Sequence, residues 1–371
     1  MWAQVRPQDA SSEGLPRTTM VDIDHGLDMP LITRPRLRPI IALTALTALT
    51  ALTALACQEV PRAAPGARGP TAPAGTEPAP AAPIAAETAE PAPEPAPLPP
   101  VSPGLELQDE PYAEARAKFK TKLISTDPAP QSYQNVPPPP GAREISYLSG
   151  GLKLKAWVSE PPADGRRLPA VLFLHGGFAF ALDDWEMAAP YRDAGFVVLM
   201  PMLRGENGLP GGFSMFFHEV DDVLAAADAL AKLPHVQPDR LHVAGHSVGG
   251  TLTLLAAMGS DRFRAAASFS GSPNQIDWSS GQTRLIPFSP YDIREFQIRS
   301  PVAYATSFRC PVRLYHGLSG GERFFGPASQ RLALLAQRSG LDVKVVPVAG
   351  DHFTSVPEAM RQSIEFFREQ R

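Results

Sequence analysis

From residue 170 onward, short apolar runs alternate with longer amphipathic ones, and this alternation limits the fold more than any other feature of the chain. Strand-like runs fall at 170–174, 196–200, 240–244, 265–270, 312–315 and 343–348. Helix-like runs fall between and after them, at 183–194, 219–232, 250–258, 328–339 and 357–368. A strand inside a parallel sheet is buried on both faces and reads as an unbroken apolar run. Ala170-Val171-Leu172-Phe173-Leu174 reads that way. The expected class is therefore α/β, a mostly parallel central sheet with helices on both faces. Ahead of it, 144–148, a Gly150-Gly151 turn and 152–158 predict an antiparallel N-terminal hairpin. Tyr112, Ala115, Phe119 and Leu123 recur at helical spacing and predict one amphipathic helix, with order beginning near Tyr112. The stretch 272–308 breaks the alternation and is expected to form a small insert over the site or at its rim.

Composition divides the 371 residues unevenly. The 42 prolines concentrate between Glu59 and Gly104, among Ala, Gly and Thr. Such a stretch has little large apolar surface to bury and is expected to be an extended, disordered spacer. The net charge of −4 is small and gives no reason to expect a nucleic-acid partner. Before the spacer, Arg34, Arg36 and Arg38 precede an apolar run from Ile40 to Ala56-Cys57, with no acidic residue from Met29 to Cys57. A basic region, an apolar region and small residues at the end make a secretory signal. Ala54-Leu55-Ala56-Cys57 also resembles a bacterial lipobox, which implies lipidation at Cys57. A cleaved soluble signal or a retained membrane helix are the other readings. The run is about seventeen residues, at the short edge for spanning. Residues 1–28 carry five acidic residues, so translation could begin at Met20 or Met29. The organisation read from this is an N-terminal extension and signal over 1–57, a spacer over 58–105 and a catalytic domain over 106–371. The expected location is outside the cytoplasm, on a bacterial membrane through the lipid, facing the periplasm or the cell exterior. With Cys57 lipidated, Cys310 stands alone as a small core residue, without a disulfide framework.

Gly245-His246-Ser247-Val248-Gly249 lies between a strand-like run and a helix-like run. Strand, sharp turn with serine at its tip, then helix is the arrangement of a nucleophile elbow in an α/β-hydrolase. The small residues let helix and strand pack closely. The turn lifts the serine hydroxyl above the sheet and aims the next N–H at a reacting carbonyl. Serine hydrolysis further needs a base, an acid that orients the base, and oxyanion donors. In this fold the chain order is Ser, then Asp or Glu, then His. His352 follows the last predicted strand and is the expected base; His316 is the rival. Asp351 is read as a loop-bracing carboxylate. The acid should follow the run ending at Gly317, and Glu322 is the nearest carboxylate, with Asp277 the alternative. Val248, next to the nucleophile, is one expected oxyanion donor. Gly177, in His175-Gly176-Gly177-Phe178, is the other, because a glycine lets backbone approach a substrate closely.

These motifs resemble the catalytic domain of the prolyl oligopeptidase family. His175-Gly176-Gly177 is similar to its oxyanion loop. Pro201-Met202-Leu203-Arg204-Gly205-Glu206-Asn207-Gly208 is similar to its N-x-R-G-S-x-G segment, with Met202 where asparagine is usual. The resemblance covers about residues 140–371. It implies an acyl-Ser247 mechanism, and a buttressing role for Arg204. Many relatives carry an aspartate where Gly320 stands, so the acid loop departs from the pattern. Peptidases of this family commonly carry a β-propeller before the catalytic domain. Here a spacer and one helix precede it, so nothing is expected to gate the site. Dienelactone hydrolases and carboxylesterases share the scaffold. The expectation is a serine hydrolase cleaving an ester or peptide bond of a small-molecule ester or peptide, with no cofactor and no metal. A carboxylesterase without peptidase activity is one alternative. A catalytically silent surface binding module of the same fold is another.

Overall fold

The structure, a computed structural model, describes residues 97–320 and 326–370. The proposed signal, Cys57 and Glu322 lie outside the described residues. The described strands are β1 (Ala142–Ser149), β2 (Leu152–Ser159), β3 (Leu168–Leu174), β4 (Val197–Pro201), β5 (Val236–His246), β6 (Ala265–Phe269), β7 (Val312–Gly317) and β8 (Val343–Val348). They form one sheet in the order β1-β2-β4-β3-β5-β6-β7-β8. The hairpin β1–β2 is antiparallel, and β2 pairs antiparallel with β4. Every later pairing is parallel. The α/β class expected from the alternation is the class observed.

The helices are α1 (Tyr112–Lys118), α2 (Leu182–Met187), α3 (Ala189–Asp193), α4 (Glu219–Ala231), α5 (Val248–Gly259), α6 (Gln275–Ser279), α7 (Ile293–Gln297), α8 (Gly326–Arg338) and α9 (Val356–Glu369). One face of the sheet packs on α1, α4, α5 and α8 through residues such as Leu172, Val223, Leu254 and Leu332. The other packs on α2, α3 and α9 through Phe173, Trp185, Tyr191 and Phe367. Burial on both faces is why β3 and β4 carry no alternation, with Val171, Leu172, Phe173, Val198 and Leu199 all fully buried.

Three expectations are corrected. The helix predicted over 183–194 is two helices, because Pro190 has no N–H to give and its ring collides with the carbonyl four residues back. The helix beginning at Tyr112 stops at Lys118. Phe119 is extended, and Leu123 forms an antiparallel bridge with Phe288 instead of a further turn. Packing also begins before Tyr112. Leu98 and Val101 lie against the core, and Leu105 is fully buried within it. The insert over 272–308 consists of short helices, α6 and α7 with 3₁₀ turns at Thr283–Leu285 and Pro301–Ser307.

Candidate active site

Ser247 sits between the end of β5 and the start of α5, with φ 56° and ψ −115°. A non-glycine residue is rarely held there, at a cost of about 1–3 kcal/mol, so the surroundings must impose it. They do so through close approach. A side chain at Gly249 would strike the carbonyls of Leu174 and His175, and one at Gly250 would come within 2.9 Å of the Gly271 backbone. The Ser247 N–H donates to the Phe269 carbonyl at 2.8 Å, which pins the turn to the neighbouring strand.

The loop after β3 lies beside this turn. A Cβ on Gly176 would be 3.7 Å from the Ser247 Cβ. Gly177 has φ +67°, a conformation that glycine adopts without strain. Gly177 and Val248 line one small hollow together with Leu174, Leu203, Glu206 and Leu252. His175 is buried and its Nε2 is 3.0 Å from Glu206 Oε2. Burial opposes a charge on that imidazole, but the Glu206 carboxylate outweighs it, and the pKa is raised to about 9. Glu206 also accepts from the Leu203 N–H at 2.7 Å. It thereby ties the loop after β3 to the loop after β4. Arg204 braces the second loop from the other side. Its guanidinium forms two hydrogen bonds to Asp222 of α4, at 2.8 and 2.6 Å.

His352 is half-buried on the loop between β8 and α9. Its ring lies 4.7 Å from that of His246, the residue before the serine. His246 Nε2 is 2.8 Å from the His352 carbonyl. Asp351 accepts from the Phe353 and Thr354 N–H groups and from the Thr354 hydroxyl, so it braces its own loop. Among the described residues, His316 and His242 make contacts of their own. His316 is buried, with Nε2 2.7 Å from the Ser329 hydroxyl. His242 stacks on Phe367, and burial drives its pKa down to about 3. Asp277 accepts from the Ser102 hydroxyl at 2.6 Å and the Asn274 amide at 2.8 Å. Cys310 is a partly buried thiol, pushed up to about 12 by burial. The chain leading to Glu322 runs along the His352 loop. Leu318 and Ser319 donate to the carbonyls of Val348 and Gly350.

Two features at the rim were not legible in the sequence. Phe178 contacts Phe213 and, from the insert, Trp278, at 4.9 and 6.1 Å between ring centres. A strap spanning residues 123–136 crosses the loops after β3 and β4. Its Ile124 and Ser125 N–H groups donate to the Pro287 carbonyl, and its Ala129 N–H donates to Gly205. Its Gln131 side chain accepts from the Phe178 N–H at 2.8 Å. The strap lies against the oxyanion loop, a contact that no reading of the sequence anticipated. The strap has no periodicity to reveal it, and its placement depends on partners 47 to 165 residues away.

A serine on a strained strand-to-helix turn next to a glycine loop is the local arrangement of an α/β-hydrolase, and the His352 loop packs on His246, the residue before that serine. Residues 182–368 match the model of the prolyl oligopeptidase family. An uncharacterized peptidase of Bacillus subtilis, YtmA, is 31% identical over 189 residues, covering 47% of this chain and 71% of that one. A second from the same organism, YuxL, is 25% identical over 223 residues, covering 55% and 34%. Among solved structures, a Mycobacterium tuberculosis puromycin-hydrolyzing peptidase superposes with a TM-score of 0.54 and 26% identity, over 62% of this chain and 40% of that one. The chain belongs to the prolyl oligopeptidase family. It is a serine hydrolase, and a purely binding role is not favoured.

Proposed function

We propose that Ser247 is the nucleophile and that the protein cleaves a peptide or ester bond through an acyl-Ser247 intermediate. One observation supports this most: the serine holds φ 56° at the elbow of a chain whose family is built on that turn. His352 takes the Ser247 proton as general base and returns it to the leaving group. Val248 and Gly177 donate their N–H groups to the oxyanion, where losing one donor typically costs on the order of 10²–10³ in rate. Glu322 orients His352. In support, a Cβ on Gly320, two residues earlier, would lie 3.4 Å from the Asp351 Cβ, beside the base. The relatives named as peptidases favour peptide over simple ester substrates.

The test is turnover of p-nitrophenyl butyrate and of aminoacyl p-nitroanilides by wild type, His352→Ala and Glu322→Gln. Both variants should lose at least 10²-fold in kcat, as members of a catalytic triad do. Unchanged rates in both would reject this assignment of base and acid. Faster cleavage of the anilides, relative to their intrinsic reactivity, identifies a peptidase.

The protein is further proposed to be exported and held at a membrane by lipid on Cys57, facing the periplasm or the cell exterior. Arg34, Arg36 and Arg38 before an apolar run ending at Ala56-Cys57 support this. Mass spectrometry of the mature N-terminus should find a diacylglyceryl-modified Cys57. An unmodified residue other than Cys57 at that end would refute it.

A further inference from the structure

We infer that the strap supplies a specificity-determining residue, Gln131, which selects substrates whose acyl arm carries an amide carbonyl. The inference rests on the acyl-Ser247 reading above, but Gln131 lies outside the stretch 182–368 that matches the family.

Gln131 is anchored at one end. Its Oε1 accepts from the Phe178 N–H at 2.8 Å. A Cβ on Gly177 would fall 2.5 Å from that oxygen and 3.2 Å from Nε2. The carboxamide therefore lies against the glycine proposed as an oxyanion donor. Because the group is planar and Oε1 is committed, the orientation of the Nε2 donors is set as well. Among the described residues, no acceptor is hydrogen-bonded to Nε2 at this half of the side chain.

Gln131 also forms part of the wall of a cleft of about 500 Å³. One wall is strap, including Tyr133 and Val136. The other is the chain that continues from the oxyanion loop, including Phe180, Leu182 and Asp183. None of the lining residues belongs to the loop of His352. A histidine base hands its proton to the leaving group, so the leaving group sits on the His352 side. The cleft, whose wall includes Gln131 lying against Gly177, then takes the acyl arm. Its lining holds no Lys, Arg or His, and Asp183 is its one charged member. An anionic arm would find no counter-charge there, whereas a neutral amide finds a donor in Gln131. A site built to hydrogen-bond a substrate group discriminates against analogues that lack it.

The experiment compares two substrates with one leaving group, p-nitrophenyl acetate and the p-nitrophenyl ester of N-acetyl-dialanine. The quantity read is the ratio of their kcat/KM values in wild type, Gln131→Leu and Gln131→Glu. Gln131→Glu keeps an oxygen for the Phe178 N–H but loses the donors. The ratio of amide-bearing to plain ester should fall about tenfold in both variants, a typical effect of one hydrogen bond in recognition. A loop-bracing role alone predicts that Gln131→Glu keeps the wild-type ratio, and a ratio within twofold of wild type in that variant overturns the inference. If wild type turns over both esters and the ratio does not move, only the role of Gln131 fails. If wild type hydrolyses neither ester, the acyl-Ser247 reading fails and the inference with it.

Discussion

At the scale of single residues, the site depends on two constraints that side-chain chemistry makes easy to break. Gly249 has no space for a methyl group, because the carbonyls of Leu174 and His175 occupy it. Backbone cannot retreat as a flexible side chain can. Gly249→Ala should therefore cost about 1–3 kcal/mol, the usual range for forced overpacking. Urea denaturation with an unchanged m-value would measure it. The second constraint is the buried pair His175–Glu206. Its folded-state pKa, about 9, lies above the ordinary histidine value. The stabilisation it contributes is therefore complete below about pH 6.5 and is lost as pH rises through about 9. Glu206→Gln removes the counter-charge. The stability gap between wild type and this variant should be widest below pH 6.5 and close as pH passes 9. A gap that widens with pH would show that the imidazole is not charged in the folded protein.

At the scale of elements, the loop after β4 is held by its tie to α4. Arg204 is the tie, and its partner Asp222 is completely buried. Removing one member of a buried pair leaves the other charge without compensation, typically at a cost of 3–5 kcal/mol. Arg204→Ala should lose about that much stability. Arg204→Lys should recover only part, since an ammonium cannot form both hydrogen bonds in the same geometry. Equal stability of Arg204→Ala and wild type would mean that α4 and this loop hold together without the pair. This tie was readable as a motif, in Arg204-Gly205-Glu206, but its partner on α4 was not, because no local spacing links residues 204 and 222.

At the scale of the whole molecule, what could be read from the chain depended on whether a signal was local. The strand at 170–174 and the strand and helix on either side of Ser247 were legible because burial imposes apolar runs or helical periods along contiguous residues. The elbow was legible because glycines must cluster where helix and strand touch. The break at Pro190 was also written in the chain, but the apolar period around it concealed it. The strap was not legible. Its residues 123–136 are held by carbonyls and loops far away in sequence, and Gln131 has no motif around it. Leu123 fitted a helical period with Tyr112 and Phe119, yet the bridge to Phe288 prevailed. Tertiary contacts decided these positions, and a single sequence carries no direct record of such contacts.

The central claim is that one strained serine performs the chemistry of this molecule. Reaction with a fluorophosphonate probe, followed by peptide mass spectrometry, tests it most directly. The account predicts a single covalent adduct on Ser247, absent from a folded Ser247→Ala variant. A folded wild-type protein that takes no probe, or takes it on a different residue, would contradict the account.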